Sequence, residues 1–268
     1  MSHSPTPSFS DLNIIDIDQE HMLGRVHSVI TGSVVDGPGI RQVIFLQGCQ
    51  FQCKYCHNRD TWDMHQGKLY SVAELINDVL AYTSFMDSSD GGVTITGGEA
   101  MLQAEFVALL LNKLKKMGIH TCFDTNGYVS KHIYGPLLDY LLDSADLVML
   151  DIKQMDPAKH LALTGVSNER TLEFEKHLET VNQLTRIRYV VVPGHTDDEQ
   201  DIRRLAEYIA PMKNIERIEL LPYHKMGDSK WSEFGSENPL KGVVSPTIEK
   251  MKALKYMLEK DYGLNVLL

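Results

Sequence analysis

Short apolar runs alternate with amphipathic stretches along most of this sequence, and this alternation limits the folds that the chain can adopt. Strands are predicted at residues 24–30, 42–46, 93–96, 119–123, 147–150, 187–192 and 217–221. Helices are predicted at residues 71–85, 103–117, 134–143, 172–184, 198–209 and 245–262. Ser71 and Glu74 have the spacing of a capping box, which marks the start of the first helix. Strands that alternate with helices predict βαβ crossovers and a parallel sheet.

The number of strand–helix repeats distinguishes among the parallel α/β folds. About six repeats are counted, fewer than the eight of a complete α/β barrel. We therefore predict an α/β fold with parallel strands in a single domain, arranged as a partial (β/α)6 TIM-like barrel. A flat, doubly wound sheet is the alternative. The polar residues 1–20, which include Pro5 and Pro7, are predicted to form a flexible leader ahead of a domain that spans residues 21–268.

The composition argues against several classes of function. A net charge of −10 does not suit a general nucleic-acid binder, because phosphate binding needs a basic face. No apolar run approaches the roughly 20 residues that span a bilayer, so no membrane segment is expected. The N-terminus lacks a basic region followed by an apolar stretch and does not resemble a secretory signal. The expected compartment is the cytoplasm.

Three of the four cysteines, Cys49, Cys53 and Cys56, lie within eight residues of one another. Cysteines this close in a reducing compartment are more typical of a metal site than of disulfides. Thiolates are the ligands of Fe–S clusters, and three of them on a four-iron cluster would leave one iron open to a small molecule. The alternative is a Cys3His zinc site that includes His57. Cys122 lies in an apolar run and is predicted to be a buried strand cysteine.

Polar or glycine residues follow several predicted strands at the points where these strands end. They are Cys49, Gly97, Gly98, Glu99, Asp124, Thr125, Asn126, Asp151, Lys153 and His224. Because ligands of parallel α/β folds bind at the carboxyl ends of the strands, we expect these residues to surround one site.

The CxxxCxxC spacing, with the aromatic Tyr55 before the last cysteine, resembles the signature of the radical S-adenosylmethionine (SAM) superfamily. Residues 36–41 and 48–62 are similar to the activating enzymes of glycyl radical enzymes, and most similar to the pyruvate formate-lyase activating group. The supporting motifs are Gly97-Gly98-Glu99, Asp124-Thr125-Asn126-Gly127, Asp151-Ile152-Lys153, residues 188–194 and residues 221–224. The similarity runs from about residue 24 to the C-terminus.

This resemblance implies a radical reaction on a protein substrate. The implied cofactors are a [4Fe-4S] cluster, SAM and a monovalent cation, Na⁺ or K⁺. One-electron cleavage of SAM would produce a 5′-deoxyadenosyl radical, which would remove a hydrogen atom from a glycine Cα. The implied partners are the glycine loop of pyruvate formate-lyase and, as electron donor, flavodoxin. The activating enzyme itself is expected to be a monomer.

Two alternatives to this function stay open. One is an activase of a different glycyl radical enzyme. Many of those relatives carry additional cysteines in an inserted segment, and this chain has no cysteine between Cys56 and Gly97. The other alternative, from a different class, is a zinc-binding scaffold module.

The resemblance also implies roles for individual residues. The expected catalytic set is Cys49, Cys53, Cys56, Lys153, Arg188 and Asp36. The residues expected to bind the cofactor SAM are Tyr55, Cys56, His57, Gly97, Gly98, Glu99, Asn126, Asp151, Ile152, Lys153 and His224. The residues expected to bind the cation are Asp124, Thr125, Met149 and Asp151. Asp36 and Arg188 are expected to hold the backbone of the substrate peptide.

Several of these roles have a plainer structural alternative. These alternatives are an ordinary turn for Gly97 and Gly98, helix capping for Asp124 and Asp151, a solvated position for Lys153, a structural barrel position for Arg188, and loop packing for Tyr55, His57 and His224.

Overall fold

The structure is a computed structural model that describes residues 21–268, so the predicted leader lies outside the described residues. Its strands are β1 (Leu23–Ser33), β2 (Arg41–Leu46), β3 (Lys68–Ser71), β4 (Gly92–Gly97), β5 (His120–Thr125), β6 (Leu147–Asp151), β7 (Thr185–Val191), β8 (Ile215–Pro222) and β9 (Val266–Leu267). Its helices are α1 (Val72–Leu80), α2 (Thr83–Asp87), α3 (Ala104–Lys116), α4 (Pro136–Asp143), α5 (Pro157–Thr164), α6 (Glu169–Thr180), α7 (Glu199–Ile209), α8 (Asp228–Glu233) and α9 (Ile248–Tyr262). None of the helices in residues 21–268 combines the length and the apolar character needed to cross a membrane.

The strands form one nine-stranded sheet in the order β3-β1-β2-β4-β5-β6-β7-β8-β9. Strands β2 and β4 to β8 run parallel, and each pairs with the next in this series. Because every crossover adds its strand on the same side, the sheet winds in one direction and lacks the switch point of a doubly wound sheet. The predicted partial (β/α)6 barrel is confirmed, and the flat alternative is wrong. Within residues 21–268 no pairing joins the edge strands β3 and β9, so the barrel is open.

One edge of the sheet differs from the prediction of parallel strands. β1 pairs antiparallel with β2, and β3 pairs antiparallel with β1. The connection between β1 and β2, residues 34–40, is too short for the crossover that parallel strands need. At the other edge the two-residue β9 pairs parallel with β8.

Several helices also differ from their predicted extent. The predicted helix 71–85 is two helices, α1 and α2, separated at Ala81 and Tyr82. α1 begins with the predicted capping box, in which the amide of Glu74 donates to Ser71 Oγ (3.2 Å) and the amide of Ser71 donates to the Glu74 carboxylate (2.7 Å). Helices α5 and α8 are not predicted from the sequence, because eight and six residues show too little of a helical period.

Alternate strand residues face opposite sides of the sheet and therefore enter two different interiors. Ile95 and Phe123 are fully buried in the main apolar core, which lies between the sheet and the helices. On the opposite face, inside the barrel, Cys122, Leu147 and Met149 form a separate small cluster. The prediction that Cys122 is a buried strand cysteine is confirmed.

The same alternation places side chains at the carboxyl ends of the strands. Asp124 comes two residues after Cys122, and Asp151 comes two residues after Met149, so both carboxylates point into the barrel. Arg188 lies opposite Asp151 in the register of β6 and β7. The barrel interior at this end of the sheet is therefore where charged groups converge.

Ser71→Ala is expected to lower the free energy of unfolding by about 1 kcal/mol, because it removes the side-chain acceptor at the start of α1. Urea unfolding followed by circular dichroism measures the change. The control is Ser84→Ala, at an exposed position inside α2, where alanine is a good helix former and little change is expected. Equal losses of stability in the two variants would contradict the role of the cap.

Candidate active site

The three cysteines of the motif lie on the loop that follows β2, at the carboxyl end of the sheet. Two backbone hydrogen bonds hold this loop against the end of α5. The amide of Gln52 donates to the carbonyl oxygen of Thr164 (2.8 Å), and the amide of Lys54 donates to that of Leu163 (3.0 Å). α5 therefore fixes the loop, and the N-cap Asp156 followed by proline is the sequence signal that could have identified this helix.

None of the three motif cysteines forms a disulfide bond, and none is fully exposed. Cys53 is buried, and Cys49 and Cys56 are half-buried. Burial raises the pKa of each thiol above its ordinary value, and that of Cys53 to about 12, although the nearby Lys153 acts to lower it. The cysteines are therefore neutral at pH 7 until a positively charged group such as iron replaces their protons.

His57, the fourth ligand in the zinc alternative, is engaged elsewhere. Its ring stacks on that of His224 with 4.0 Å between the ring centroids, and its Nε2 donates to the His224 carbonyl oxygen (2.9 Å). In residues 21–268 no three His, Cys, Asp or Glu side chains converge as ligands of one metal ion. A zinc ion needs all its ligands within about 2.3 Å, whereas the thiolates of a four-iron cluster bind different irons. The engagement of His57 with His224 therefore does not support the Cys3His zinc alternative.

A cavity of about 190 Å³ lies between the cysteine loop and the carboxyl ends of the barrel strands. The predicted site residues that line it are Cys49, Cys53, Tyr55, Cys56, His57, Gly97, Gly98, Asp124, Thr125, Asn126, Asp151, Lys153 and Arg188. The lining residues that are not predicted from the sequence are Phe51, Asn58, Thr96, Val190 and Leu221. Thr96 and Leu221 end predicted strands, and that position is the signal that could have identified them.

The predicted site residues that do not line the cavity are Asp36, Glu99, Met149, Ile152 and His224. Met149 is fully buried inside the barrel and Ile152 lies in the main core, so neither side chain reaches the cavity. Asp36 lies in the connection between β1 and β2, where its carboxylate accepts a hydrogen bond from the Ser33 hydroxyl (2.6 Å). His224 contributes to the site through the stacking described above.

Glu99 supports the cavity wall from behind. It is 1% exposed, and its carboxylate accepts hydrogen bonds from the Thr125 hydroxyl (2.6 Å) and from the amides of Asn126 and Met101 (2.8 Å each). Burial raises the pKa of Glu99 to about 7, although these three donors act to lower it. Glu99 therefore fixes Thr125 at the end of β5 and Asn126, which follows it.

Two ion pairs lie on the cavity wall. Lys153 Nζ is 2.6 Å from Asp151 Oδ2, and an Arg188 nitrogen is 3.1 Å from Asp124 Oδ2. Burial acts to lower the pKa of Lys153, but Asp151 beside it raises the pKa well above its ordinary value. Burial raises the pKa of Asp124 to about 6, although Arg188 acts to lower it. Lys153 is therefore charged at pH 7, and Arg188 favours the ionised form of Asp124.

Several polar atoms around the cavity are buried and have no hydrogen-bond partner within the described chain. They are Tyr55 Oη, Asp124 Oδ1, Arg188 Nε and His224 Nδ1. Buried polar atoms are normally hydrogen-bonded, so a polar ligand would complete the site. The carboxylate, ammonium group and ribose hydroxyls of SAM fit such a set of donors and acceptors.

The Gly97-Gly98 turn packs directly on the cysteine loop. Gly97 has a φ of +116°, a backbone conformation that favours glycine. A Cβ atom at Gly98 would lie 2.0 Å from the carbonyl oxygen of Gly48, the residue before Cys49. The amide of Glu99 donates to the same oxygen (2.8 Å). The close contact between turn and loop therefore requires glycine at position 98.

Gly98→Ala is expected to displace the cysteine loop, because its methyl group would overlap the Gly48 carbonyl oxygen. Overpacking of this kind costs about 1–3 kcal/mol, and iron incorporation should fall with it. Thermal unfolding and iron analysis after anaerobic reconstitution measure the two effects. In the control Gly242→Ala, the Cβ atom meets nothing within 4 Å. Normal stability and iron content in Gly98→Ala would refute the packing argument.

Comparison with known proteins identifies relatives over most of the chain. A family described as "4Fe-4S single cluster domain" matches residues 35–172. Pyruvate formate-lyase 1-activating enzyme of Escherichia coli (strain K12) is 52% identical over 246 residues, which cover 92% of this chain and 99% of that protein. Pyruvate formate-lyase-activating enzyme of Listeria monocytogenes serovar 1/2a is 41% identical, over 89% of this chain and 97% of that protein.

Solved structures agree with these relatives. A domain of pyruvate-formate lyase-activating enzyme from Bacteroides vulgatus superposes with a TM-score of 0.54 at 28% identity, over 66% of this chain and 98% of that chain. A radical SAM methyltransferase from Sphaerobacter thermophilus gives a TM-score of 0.61 over 91% of this chain and 76% of that chain, and its 14% identity shows the fold alone. The resemblance predicted from the cysteine motif is confirmed, and the chain belongs to the radical SAM family of pyruvate formate-lyase activating enzymes.

Proposed function

We propose that this enzyme holds a [4Fe-4S] cluster, binds SAM and removes a hydrogen atom from a glycine Cα of pyruvate formate-lyase. The observation that carries the proposal is the convergence of the three motif cysteines with Gly98, Asp124 and Lys153 on one cavity. Relatives that are 52% and 41% identical are named as activating enzymes of pyruvate formate-lyase, which supports the same protein substrate here.

The three motif cysteines would hold the cluster. Cys49, Cys53 and Cys56 would each bind one iron, which leaves one iron without a cysteine ligand. Cys122 does not supply a fourth, because it is fully buried inside the barrel beside Met149. The chemistry that the cofactors supply when bound is one-electron cleavage of SAM to methionine and a 5′-deoxyadenosyl radical, which takes the glycine hydrogen.

Residues of the cavity wall would orient SAM. The Lys153 ammonium group would pair with the SAM carboxylate, a charge-assisted contact that is strong in a buried site. Asp151 keeps Lys153 charged and in place at 2.6 Å. The Gly98 backbone would approach the SAM amino group, and Tyr55 and His57 would contact the adenine.

Residues behind the wall would act by positioning the residues that touch SAM. His224 stacks on the His57 ring and accepts its Nε2 hydrogen bond through the backbone. The Glu99 carboxylate accepts a hydrogen bond from the amide of Asn126 and so fixes that residue at the cavity. Ile152 would contribute only its backbone, because its side chain lies in the main core.

We assign the monovalent cation, Na⁺ or K⁺, to oxygen atoms of Asp124, Thr125, Met149 and Asp151. Asp124 Oδ1 is buried without a partner in residues 21–268. Burial, and then the nearby Asp151 carboxylate, raise the pKa of Asp124, and a bound cation would offset both effects. Met149 would contribute its carbonyl oxygen, because its side chain packs inside the barrel.

Arg188 and Asp36 would hold the backbone of the substrate's glycine loop. Arg188 is anchored by Asp124 at 3.1 Å and by Glu219 at 3.8 Å, which fixes its guanidinium group on the wall. The open side of the barrel would admit the peptide.

We further assign flavodoxin as the electron donor and a monomeric state to the enzyme. We also assign the enzyme to the cytoplasm, where reducing conditions suit cysteines that form no disulfide.

Cys53→Ala should reduce SAM cleavage to background, because it removes one of the three cluster ligands. Chromatographic measurement of 5′-deoxyadenosine after anaerobic incubation with SAM and dithionite tests this, and circular dichroism checks the fold. Cys122→Ala is the matched control and should retain cleavage, since its thiol lies in the barrel interior. Wild-type 5′-deoxyadenosine production by Cys53→Ala would refute the proposed ligand set.

Lys153→Ala should weaken SAM binding while leaving iron content unchanged. A hydrogen bond to a charged group contributes about 1.5–3 kcal/mol, so the dissociation constant should rise about tenfold to a hundredfold. Isothermal titration of the reconstituted enzyme with SAM measures this constant. Lys213→Ala, at an exposed position, is the control. An unchanged SAM affinity in Lys153→Ala would remove this residue from the site.

A further inference from the structure

Trp62 contacts two of the three motif cysteines at once. It follows the single helical turn Arg59–Thr61, and its carbonyl oxygen accepts a hydrogen bond from the amide of Cys49 (3.4 Å). Its indole Nε1–H donates to Cys56 Sγ at 3.3 Å. In the part of the chain that the structure describes, the next side-chain donor to a motif sulfur is Asn126 Nδ2, which lies 3.9 Å from Cys49 Sγ. The indole is therefore the nearest side-chain donor to the sulfurs of this loop.

The indole of Trp62 is held in this orientation by its surroundings. The Arg59 guanidinium carbon lies 4.1 Å from the centroid of the Trp62 ring, in a cation–π contact. Trp231 of α8 packs edge-to-face on Trp62, with 5.5 Å between centroids and an interplanar angle of 86°. Lys230 of the same helix pairs with Asp60 at 2.9 Å, which ties α8 to the turn before Trp62. The direction of the N–H is thus fixed by packing.

A hydrogen-bond donor to a ligand sulfur affects how readily the cluster accepts an electron. Reduction adds negative charge to a cluster and its thiolates, and a hydrogen bond to a sulfur stabilises that charge. Such outer contacts are an established way in which proteins tune a metal site. The cation over the indole face also draws electron density from the ring, which favours donation by its N–H.

We propose that Trp62 raises the reduction potential of the cluster through its hydrogen bond to Cys56, an inference that rests on the proposed function. Trp62 does not line the cavity that would hold SAM and acts through the cysteine, so it is a positioning residue. Loss of the N–H makes the cluster harder to reduce, and the electron donor then delivers less reduced enzyme.

Trp62→Phe tests the inference, because phenylalanine keeps an aromatic ring against Arg59 and lacks the N–H. Potentiometric titration of the reconstituted enzyme without SAM, followed by electron paramagnetic resonance of the reduced cluster, measures the potential. We expect the equilibrium for reduction to fall about tenfold, which for one electron is a shift of about 59 mV to lower potential. Trp231→Phe is the matched control, because phenylalanine keeps an aromatic ring edge-to-face on Trp62, and Trp231 makes no hydrogen bond to a motif sulfur within residues 21–268.

The outcomes separate this inference from the proposed function. Trp62→Phe with full iron and sulfide and an unshifted potential overturns the inference and leaves the function intact. Equal shifts in Trp62→Phe and Trp231→Phe assign the effect to packing and also overturn it. Wild-type protein that takes up no cluster contradicts the proposed function itself.

A second variant covers the case in which Trp62→Phe does not take up the cluster. Replacement of Trp62 by 3-benzothienylalanine keeps the shape of the indole and exchanges only its N–H for sulfur. The same shift to lower potential is expected from this variant. An unshifted potential in a fully loaded enzyme would overturn the inference.

Discussion

The turn Gly97-Gly98-Glu99 at the end of β4 touches the loop that carries Cys49, and the two halves of the site meet at this contact. The Gly48 carbonyl oxygen accepts a hydrogen bond from the Glu99 amide at 2.8 Å. The same oxygen leaves no room for a side chain at position 98. Through Glu99 the same turn binds the loop after β5. The cysteines, the turn and the β5 loop are therefore positioned as one unit.

The barrel interior adds a second constraint, which is electrostatic. Buried charges are tolerated only when they are paired, and here Lys153 pairs with Asp151 while Arg188 pairs with Asp124. These groups lie beside thiols that burial keeps neutral without metal. This cavity wall therefore suits a ligand that carries both positive and negative groups, as SAM does.

Much of the fold follows from local sequence patterns. The six parallel strands β2 and β4 to β8 and the capping box at Ser71 are predictable, because each has a strong short-range pattern. The antiparallel direction of β1 is not predicted, because it depends on the length of the connection to β2. Helix α5 is not predicted either, because it is short and depends on the packing of few residues. The support from α5 to the cysteine loop at Gln52 and Lys54 is therefore not predicted, although Asp156 followed by proline marks the start of this helix in the sequence.

The candidate site was predictable to a similar depth. Residues that directly follow predicted strands, such as Asp124 and Asp151, could be placed at the cavity from their position alone. Their individual roles came from the family resemblance. The positions of Glu99 behind the wall and of Trp62 on Cys56 depend on side-chain packing between distant segments, which no local pattern encodes.

Electron paramagnetic resonance of pyruvate formate-lyase, after anaerobic incubation with this enzyme, SAM and a reductant, tests the central claim most directly. The proposed function predicts the doublet of a glycine-centred radical on the partner, and the doublet should require both SAM and reductant. A partner that stays free of this radical when incubated with iron-replete enzyme that cleaves SAM would contradict the proposed substrate.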